Sequence, residues 1–496
     1  MFEDQNVVTD NGTNSMEYYR KTTYWQIILS QMNNASAMIF HFLVGMISYL
    51  ANEGYGILIA VIGLILTITR VFDGLIDPFI ALIIERINTR YGKIRLFLTI
   101  GWLVRAMATL MLFVWGVEKN FGIVHFICMY LVFIIGSSFY DIAGNMIPTV
   151  MTNDPHQRPI IQVWSTIYSY VVPTIFTLGT TLFLLPKFDN QYSVELLKLI
   201  ALITVPVSFV FTILCCIAIS DVDKPENFIN LSNEEEQNIN IKDMLELFKK
   251  NKPFQMFLIS SISAKLAQQT TSQAIVTTLF FGILLGNIQL GMVMNTVCLL
   301  PSIIFAFAGA KYAGKFGNKE TVVTWTRISI AVSILSILFL MSIDTRVIPK
   351  NIFLMALFSV LLILSTGSKM CVTIANGAMR SDIVDYELDL SGKFMPAVIT
   401  STYNFIDQFI TSLGSMIATG AVALIGYSTR APQPTDSLTK PIKYMTIFLY
   451  FGVPILGWII GLFVMNYYKL THNEMVELQK RLHIKQKNRE TDFKIK

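Results

Sequence analysis

The sequence predicts an all-α polytopic membrane protein, with twelve transmembrane helices arranged as two six-helix halves. Three observations carry this prediction. The 496 residues are 53% hydrophobic and only 14% charged, with a mean hydropathy of +0.55, whereas a soluble domain carries about 25% charged residues. The apolar residues gather in runs of about 20 residues or more, the length a helix needs to cross a bilayer. The longest polar segment lies at the chain's midpoint, with six such runs on either side.

Taken in order, residues 1–220 form the N-terminal half. Met1 to Tyr19 is polar and lacks a basic stretch ahead of a short apolar core, so it reads as retained rather than cleaved. Spans follow near 24–50, 56–84, 96–116, 122–150, 160–185 and 196–220. Residues 221–253 form a middle loop. Its end places apolar residues at 241, 244, 245, 247 and 248 on one face, which predicts an amphipathic helix at the inner surface. The C-terminal half, 254–467, holds spans near 254–285, 290–314, 321–342, 352–379, 396–428 and 443–467, and residues 468–496 form a basic tail. A faint repeat links the halves: Arg90-Tyr-Gly-Lys follows span two and Lys315-Phe-Gly-Asn-Lys follows span eight. Basic residues gather after even-numbered spans and in the tail, so the positive-inside bias places both termini, the middle loop and the tail in the cytoplasm. This placement accounts for the net charge of +5 without a nucleic-acid partner, and leaves membrane lipid as the surrounding medium. Five cysteines, an odd number inside apolar runs, predict buried thiols rather than disulfides.

Ionisable side chains at membrane depth cost roughly 2.5–3.5 kcal/mol each on insertion scales, so each needs a reason. Arg70, Asp73 and Asp77 lie in span two. Asp73 and Asp77 are four residues apart and share a helix face. Pro78 cannot donate to the carbonyl of Gly74, which frees a backbone oxygen beside them. Two carboxylates with added oxygens suit Na⁺ or a shared proton; the alternative is a structural pair in which Arg70 neutralises Asp73. In span four, Ser137, Ser138, Asp141, Gly144, Asn145 and Pro148 form one polar stripe, suited to hydrogen-bonding sugar hydroxyls or, alternatively, to helix packing. Asn34 and Ser36 in span one and Gln273 in span seven are polar at depth and are expected to face a cavity. Trp164 offers a ring for a sugar face or for packing, and Asp407 and Gln408 in span eleven are further cavity candidates. Arg380 with Asp382 and Asp385, and Arg90 and Arg95 on the inner turn, are candidates for a cytoplasmic gate; the alternative for Arg380, Asp382 and Asp385 is a solvated charged loop. No Walker motif, Cys/His metal pattern or nucleophile elbow is present, so no catalytic residue, enzyme activity or metal site is expected.

Arg70-x-x-Asp73-x-x-x-Asp77-Pro78 followed by Arg90-Tyr-Gly-Lys-x-Arg95 resembles the signature of the glycoside–pentoside–hexuronide:cation symporters, the melibiose-permease-like branch of the major facilitator superfamily. Ser381-Asp-Ile-Val-Asp385-Tyr resembles that family's second landmark, and the tail from Tyr467 is similar to its C-terminus. The resemblance implies the major facilitator fold with a midplane cavity between the halves. It implies symport of a glycoside or related sugar with Na⁺ or H⁺ across a bacterial plasma membrane, with no cofactor beyond the coupling cation. By that resemblance Asp73 and Asp77 match the cation-ligating aspartates, Ser138 a hydroxyl beside the cation, and Asp141 the sugar-binding aspartate of the fourth helix. The chain departs from the pattern at three places. Ala37 or Ser36 stands where a first-helix aspartate is expected, Trp164 or Ser165 where a fifth-helix arginine is expected, and Gln408 where an eleventh-helix lysine is expected. Those departures leave two alternatives open: a lysolipid or amphiphile carrier of the same fold, or a transporter-like sugar sensor.

Overall fold

A computed structural model describes residues 19–87, 89–119, 121–188, 193–224, 241–427, 432–433 and 436–495. Twelve long helical segments occur among them: α1 (Tyr24–Gly54), α2 (Ile59–Arg86), α3 (Lys93–Trp115), α4 (Gly122–Met151), α5 (Gln157–Phe188), α6 (Val194–Ala218), α7 (Lys252–Thr271, continued by Ile275–Leu284), α8 (Gln289–Phe316), α9 (Asn318–Ser342), α10 (Ile352–Ser391), α11 (Pro396–Leu424) and α12 (Lys440–Met465). Each coincides with one expected span. Eight are long and apolar enough by composition alone to cross a membrane. α7 is interrupted at Ser272–Gln273, within the Thr/Gln-rich patch that dilutes its hydropathy. A short helix, Ile241–Lys250, precedes α7 and buries Leu247, and α13 (His472–Ile495) forms the tail. Most of the polar part of the middle loop, residues 225–240, lies outside the described residues.

The packing repeats with an offset of six helices. α3 lies against α4 as α9 lies against α10; α1 lies against α6 and α5 as α7 lies against α12 and α11. Across the middle, α2 packs on α11 and α5 on α8. The paired Gly turns share one geometry. Gly92 has φ 93° and ψ 152°, Gly317 has φ 97° and ψ 160°, and each opens the helix that follows. At Gly92 a side chain is excluded twice over, because the positive φ disfavours one and a Cβ would lie 2.2 Å from Asp223 Oδ2. Asp223 uses that close approach to accept from the backbone N–H groups of Ile94 (3.1 Å) and Arg95 (2.8 Å) at the start of α3. Burial raises the Asp223 carboxyl above its ordinary value, against the lowering effect of these N–H groups and of the Arg95 guanidinium.

α3 and α4 approach through glycine. A Cβ on Gly101 would sit 2.6 Å from Tyr140 N, and one on Gly136 2.6 Å from Arg105 N. Small residues let two backbones close up in a membrane, where dispersion and polar contacts replace the hydrophobic effect. That contact brings the polar stripe of α4 against α3. All five cysteines are free thiols, as expected, but only Cys215, Cys298 and Cys371 are buried; Cys216 is half-buried and Cys128 exposed.

Candidate functional site

α2 and α4 cross so that Ser138 Oγ donates to Asp73 Oδ1 at 3.0 Å. The same carboxylate is approached from the other half, since Gln408 Nε2 on α11 lies 3.4 Å from Asp73 Oδ2. The Gln408 carbonyl oxygen would lie 3.1 Å from a Cβ on Gly74, a tight contact that the absence of a side chain there relieves. Asp77 is buried one turn further along α2. The Arg70 side chain falls outside the described residues, and with it the alternative in which Arg70 neutralises Asp73.

Asp141 follows Ser138 by three residues and its side chain is 51% exposed, although α4 is a central helix packed against α3, α2, α10 and α11. Its carboxylate is therefore accessible in spite of that central position. Asn145, one turn on, is exposed on the same face.

Behind Asp141 stands a residue that the sequence reading missed. Arg105 on α3 is 1% exposed, and its Nη1 lies 4.0 Å from Asp141 Oδ1, beyond hydrogen-bond length. Its guanidinium lies 4.2 Å from the ring centre of Phe40 and 3.6 Å from that of Tyr140, and donates to Ser36 Oγ at 3.1 Å. The two aromatic rings and the serine hold the cation, leaving the carboxylate without a direct hydrogen bond from it. A single arginine inside the apolar run 96–116 was the available signal.

Several expected cavity residues are committed elsewhere. Ser36 is fully buried, bonded to Thr212 Oγ1 (3.0 Å) as well as to Arg105. Asn34 donates to Ser165 O (2.6 Å) and Ser169 Oγ (2.6 Å), tying α1 to α5. Both meet the requirement that buried polar groups be paired by bonding to neighbouring helices rather than to the cavity. Gln273 bonds back to Gln269 O (3.1 Å) at the break in α7. Trp164 packs edge-on to Phe307 of α8 at 6.4 Å, at the contact between the halves.

The gate expectation needs a larger correction. Asp382 and Asp385 share a face of α10 and are paired by Arg158, at 3.0 and 2.7 Å. Arg380 cannot reach that face. Two residues along a helix is about 200° of rotation and five residues about 140°, so its side chain points elsewhere. It lies 4.4 Å from the ring centre of Tyr403 instead. Arg158, which lies next to an expected turn between spans four and five, is 1% exposed at the start of α5, and its Nε donates to Thr152 O (2.9 Å). Arg95 pairs with Asp223 at the start of the middle loop (3.4 Å) rather than across the halves, and Arg90 is exposed on the turn between α2 and α3. Further contacts at the same end of the molecule cross between halves: the N–H of Ala397 donates to Glu85 Oε1 (2.7 Å), and Thr149 Oγ1 donates to Ser381 Oγ (3.1 Å). Glu85 is also paired with Lys93 (3.2 Å). The tail joins this network, since Gln479 donates to Asp385 (2.6 Å) and accepts from Asn153 (2.8 Å).

The chain matches the sequence model of the MFS/sugar transport protein family over residues 29–472 and belongs to that family. It is 26% identical over 440 residues to an uncharacterised symporter of Bacillus subtilis (strain 168), covering 87% of this chain and 88% of the relative. In Escherichia coli (strain K12) it is 21% identical to a putative glycoside/cation symporter, covering 91% and 92% of the two chains. It is 22% identical to that organism's glucuronide carrier protein homolog, covering 92% and 94%. Two solved structures share the fold at 12% identity and a TM-score of 0.60: a bacterial homologue of the iron transporter ferroportin, covering 89% and 98%, and the major facilitator superfamily transporter FucP, covering 90% and 99%. The protein is therefore a multi-pass membrane transporter of the major facilitator fold, not an enzyme.

Proposed function

We propose that this transporter moves a sugar together with Na⁺ or H⁺ across a bacterial plasma membrane by alternating access, with both termini in the cytoplasm. The observation that carries the reading is the setting of Asp73. Its carboxylate accepts from Ser138 of one half and lies beside Gln408 of the other. A cation on Asp73 and Asp77, with the Gly74 carbonyl and Ser138 hydroxyl as further oxygens, removes the repulsion between two carboxylates. Because Gln408 belongs to the opposite half, the charge on Asp73 also biases how the halves sit. Asp141 and Asn145, less than two helical turns along α4 from Ser138, offer the sugar an acceptor and an amide. Cation and sugar then stabilise one another's binding reciprocally.

The inner seal built from Arg158, Asp382, Asp385, Glu85 and Gln479 supports a state closed to the cytoplasm, with Asp141 reached by water from the opposite side. The division at residues 221–253 into halves 1–220 and 254–467 is supported by the six-helix repeat in packing. The test is sugar accumulation in proteoliposomes under an imposed inward Na⁺ or H⁺ gradient. Gradient-driven accumulation is expected, and equilibration without accumulation under both gradients overturns the coupling.

A further inference from the structure

The C-terminal half holds a charged group to which no role has yet been given. Lys265 on α7 pairs with Asp407 on α11 at 2.6 Å, with side chains 43% and 16% exposed. Lys265 Nζ also lies 5.2 Å from the centre of the Tyr403 ring, and the Arg380 guanidinium of α10 lies 4.4 Å from the same centre. Tyr403 is buried and held by a hydrogen bond with Ser261 at 2.8 Å. One fixed ring thus gathers two cations from two different helices, one of them paired with a carboxylate.

Resting on the sugar-transport reading above, we propose that Lys265, with Arg380 beneath it, is a subsite for the carboxylate of an acidic sugar, and that Asp407 is the counter-ion the carboxylate displaces. Asp407 is borne on α11, which packs against α2 of the other half, and its chain neighbour Gln408 reaches Asp73 across that interface. An ammonium this accessible, well inside α7, sits in a watered cavity, since a lipid-facing one is disfavoured. Arg380 Nε is buried without a hydrogen-bond partner, an unused donor beside the pair. The carboxylates nearest to Arg380 in sequence, Asp382 and Asp385, are already taken by Arg158.

The charge balance selects the ligand. Two cations and one carboxylate leave a single positive charge, which matches a monoanion. A phosphate monoester carries about −1.5 to −2 at neutral pH and would be left underneutralised. The neutral hydroxyls of the same ring then fall to Asp141 and Asn145 on the opposite wall. The cavity is acidic on the side that takes the cation and basic on the side that takes the carboxylate. The eleventh-helix lysine expected from the resemblance is absent, with Gln408 in its place, and α7 supplies the positive charge instead.

The test uses full-length protein in proteoliposomes, comparing exchange of glucuronate and galacturonate with that of glucose and galactose and of a hexose monophosphate. Each is measured with Na⁺ and at two pH values. The wild type is expected to carry a uronate at least tenfold faster than the matching neutral hexose or the phosphate. Lys265→Gln is expected to lose tenfold or more in uronate exchange, and Lys265→Arg to stay within about threefold. If Lys265→Gln shows no thermal transition in detergent, Asp407→Asn decides: with its counter-ion neutralised, Lys265 should bind uronate more tightly, and weaker uronate binding overturns the proposal. A wild type that carries neutral hexoses or the phosphate in preference to uronates overturns this subsite while leaving sugar transport standing. So does a folded Lys265→Gln with unchanged uronate exchange. If no sugar of any class is exchanged, both readings fall.

Discussion

Removing Arg158 should open the inner end of the protein. Its guanidinium is 1% exposed and holds two carboxylates from the opposite half, Asp382 at 3.0 Å and Asp385 at 2.7 Å. Replacing it with glutamine leaves two buried carboxylates one turn apart on α10 without their cation. Breaking a buried pair from one side costs about 3–5 kcal/mol, mostly the penalty of the charge left behind. The other inner contacts, Glu85 with Ala397 and Thr149 with Ser381, remain. The lower figure is therefore the better guide, and about 3 kcal/mol is a roughly hundredfold shift between closed and open states at about 1.4 kcal/mol per tenfold. The assay is double electron–electron resonance between spin labels at Ile87 and Phe316, exposed residues at the inner ends of α2 and α8 in opposite halves. The Arg158→Gln variant is expected to gain a longer-distance population. Combining Arg158→Gln with Asp382→Asn and Asp385→Asn removes all three charges and should return much of the closed population, since no uncompensated charge is left. An unchanged distance distribution in Arg158→Gln refutes the gate. A triple variant as open as the single one refutes the charge argument.

Other outcomes follow from the same geometry. Ser138→Ala removes the hydroxyl that donates to Asp73 and an oxygen of the cation site. A hydrogen bond to a charged group is worth about 1.5–3 kcal/mol, so cation affinity by calorimetry should fall roughly 10- to 100-fold. Gly136→Leu places side-chain atoms where Arg105 N lies 2.6 Å from the Cβ position. Overpacking should cost about 1–3 kcal/mol, lower the melting temperature in detergent, and weaken sugar binding by moving Arg105 from Asp141. Asn34→Ala should lower thermal stability with little change in sugar affinity, because that amide is used between α1 and α5. Asn145→Ala should do the reverse, and matching effects in the two variants would remove Asn145 from the cavity.

The division between what the sequence disclosed and what it withheld follows from helical periodicity. Runs of apolar residues locate every span, because the bilayer enforces a minimum length. Spacing along one helix also puts Asp73 with Asp77, and Ser138 with Asp141 and Asn145, on common faces, while the bond that joins Asp73 to Ser138 crosses between α2 and α4. Periodicity says nothing of which neighbouring helix supplies the partner. Arg158 and Asp382 are separated by 224 residues and Lys265 and Asp407 by 142, so neither pair leaves a local trace. The assignment of Arg380 to Asp382 and Asp385 failed because closeness in sequence was taken for closeness in space, while the rotation per residue places them on different sides. Ser36 and Asn34 were read as cavity-facing because buried polar groups need partners, and the partners turned out to be Arg105, Thr212, Ser165 and Ser169. Arg105 could have been found from its sequence position alone, a lone charge in an apolar span.

The most direct test of the coupling mechanism is uphill uptake by Asp77→Asn. The transported sugar is first identified by exchange in proteoliposomes, and accumulation is then driven by an inward Na⁺ or H⁺ gradient. With Asp77 neutralised, the cation loses one of its two carboxylates. Gradient-driven accumulation should vanish while exchange of sugar across the membrane persists at a reduced rate. Accumulation by Asp77→Asn at the wild-type level, under either gradient, contradicts the account.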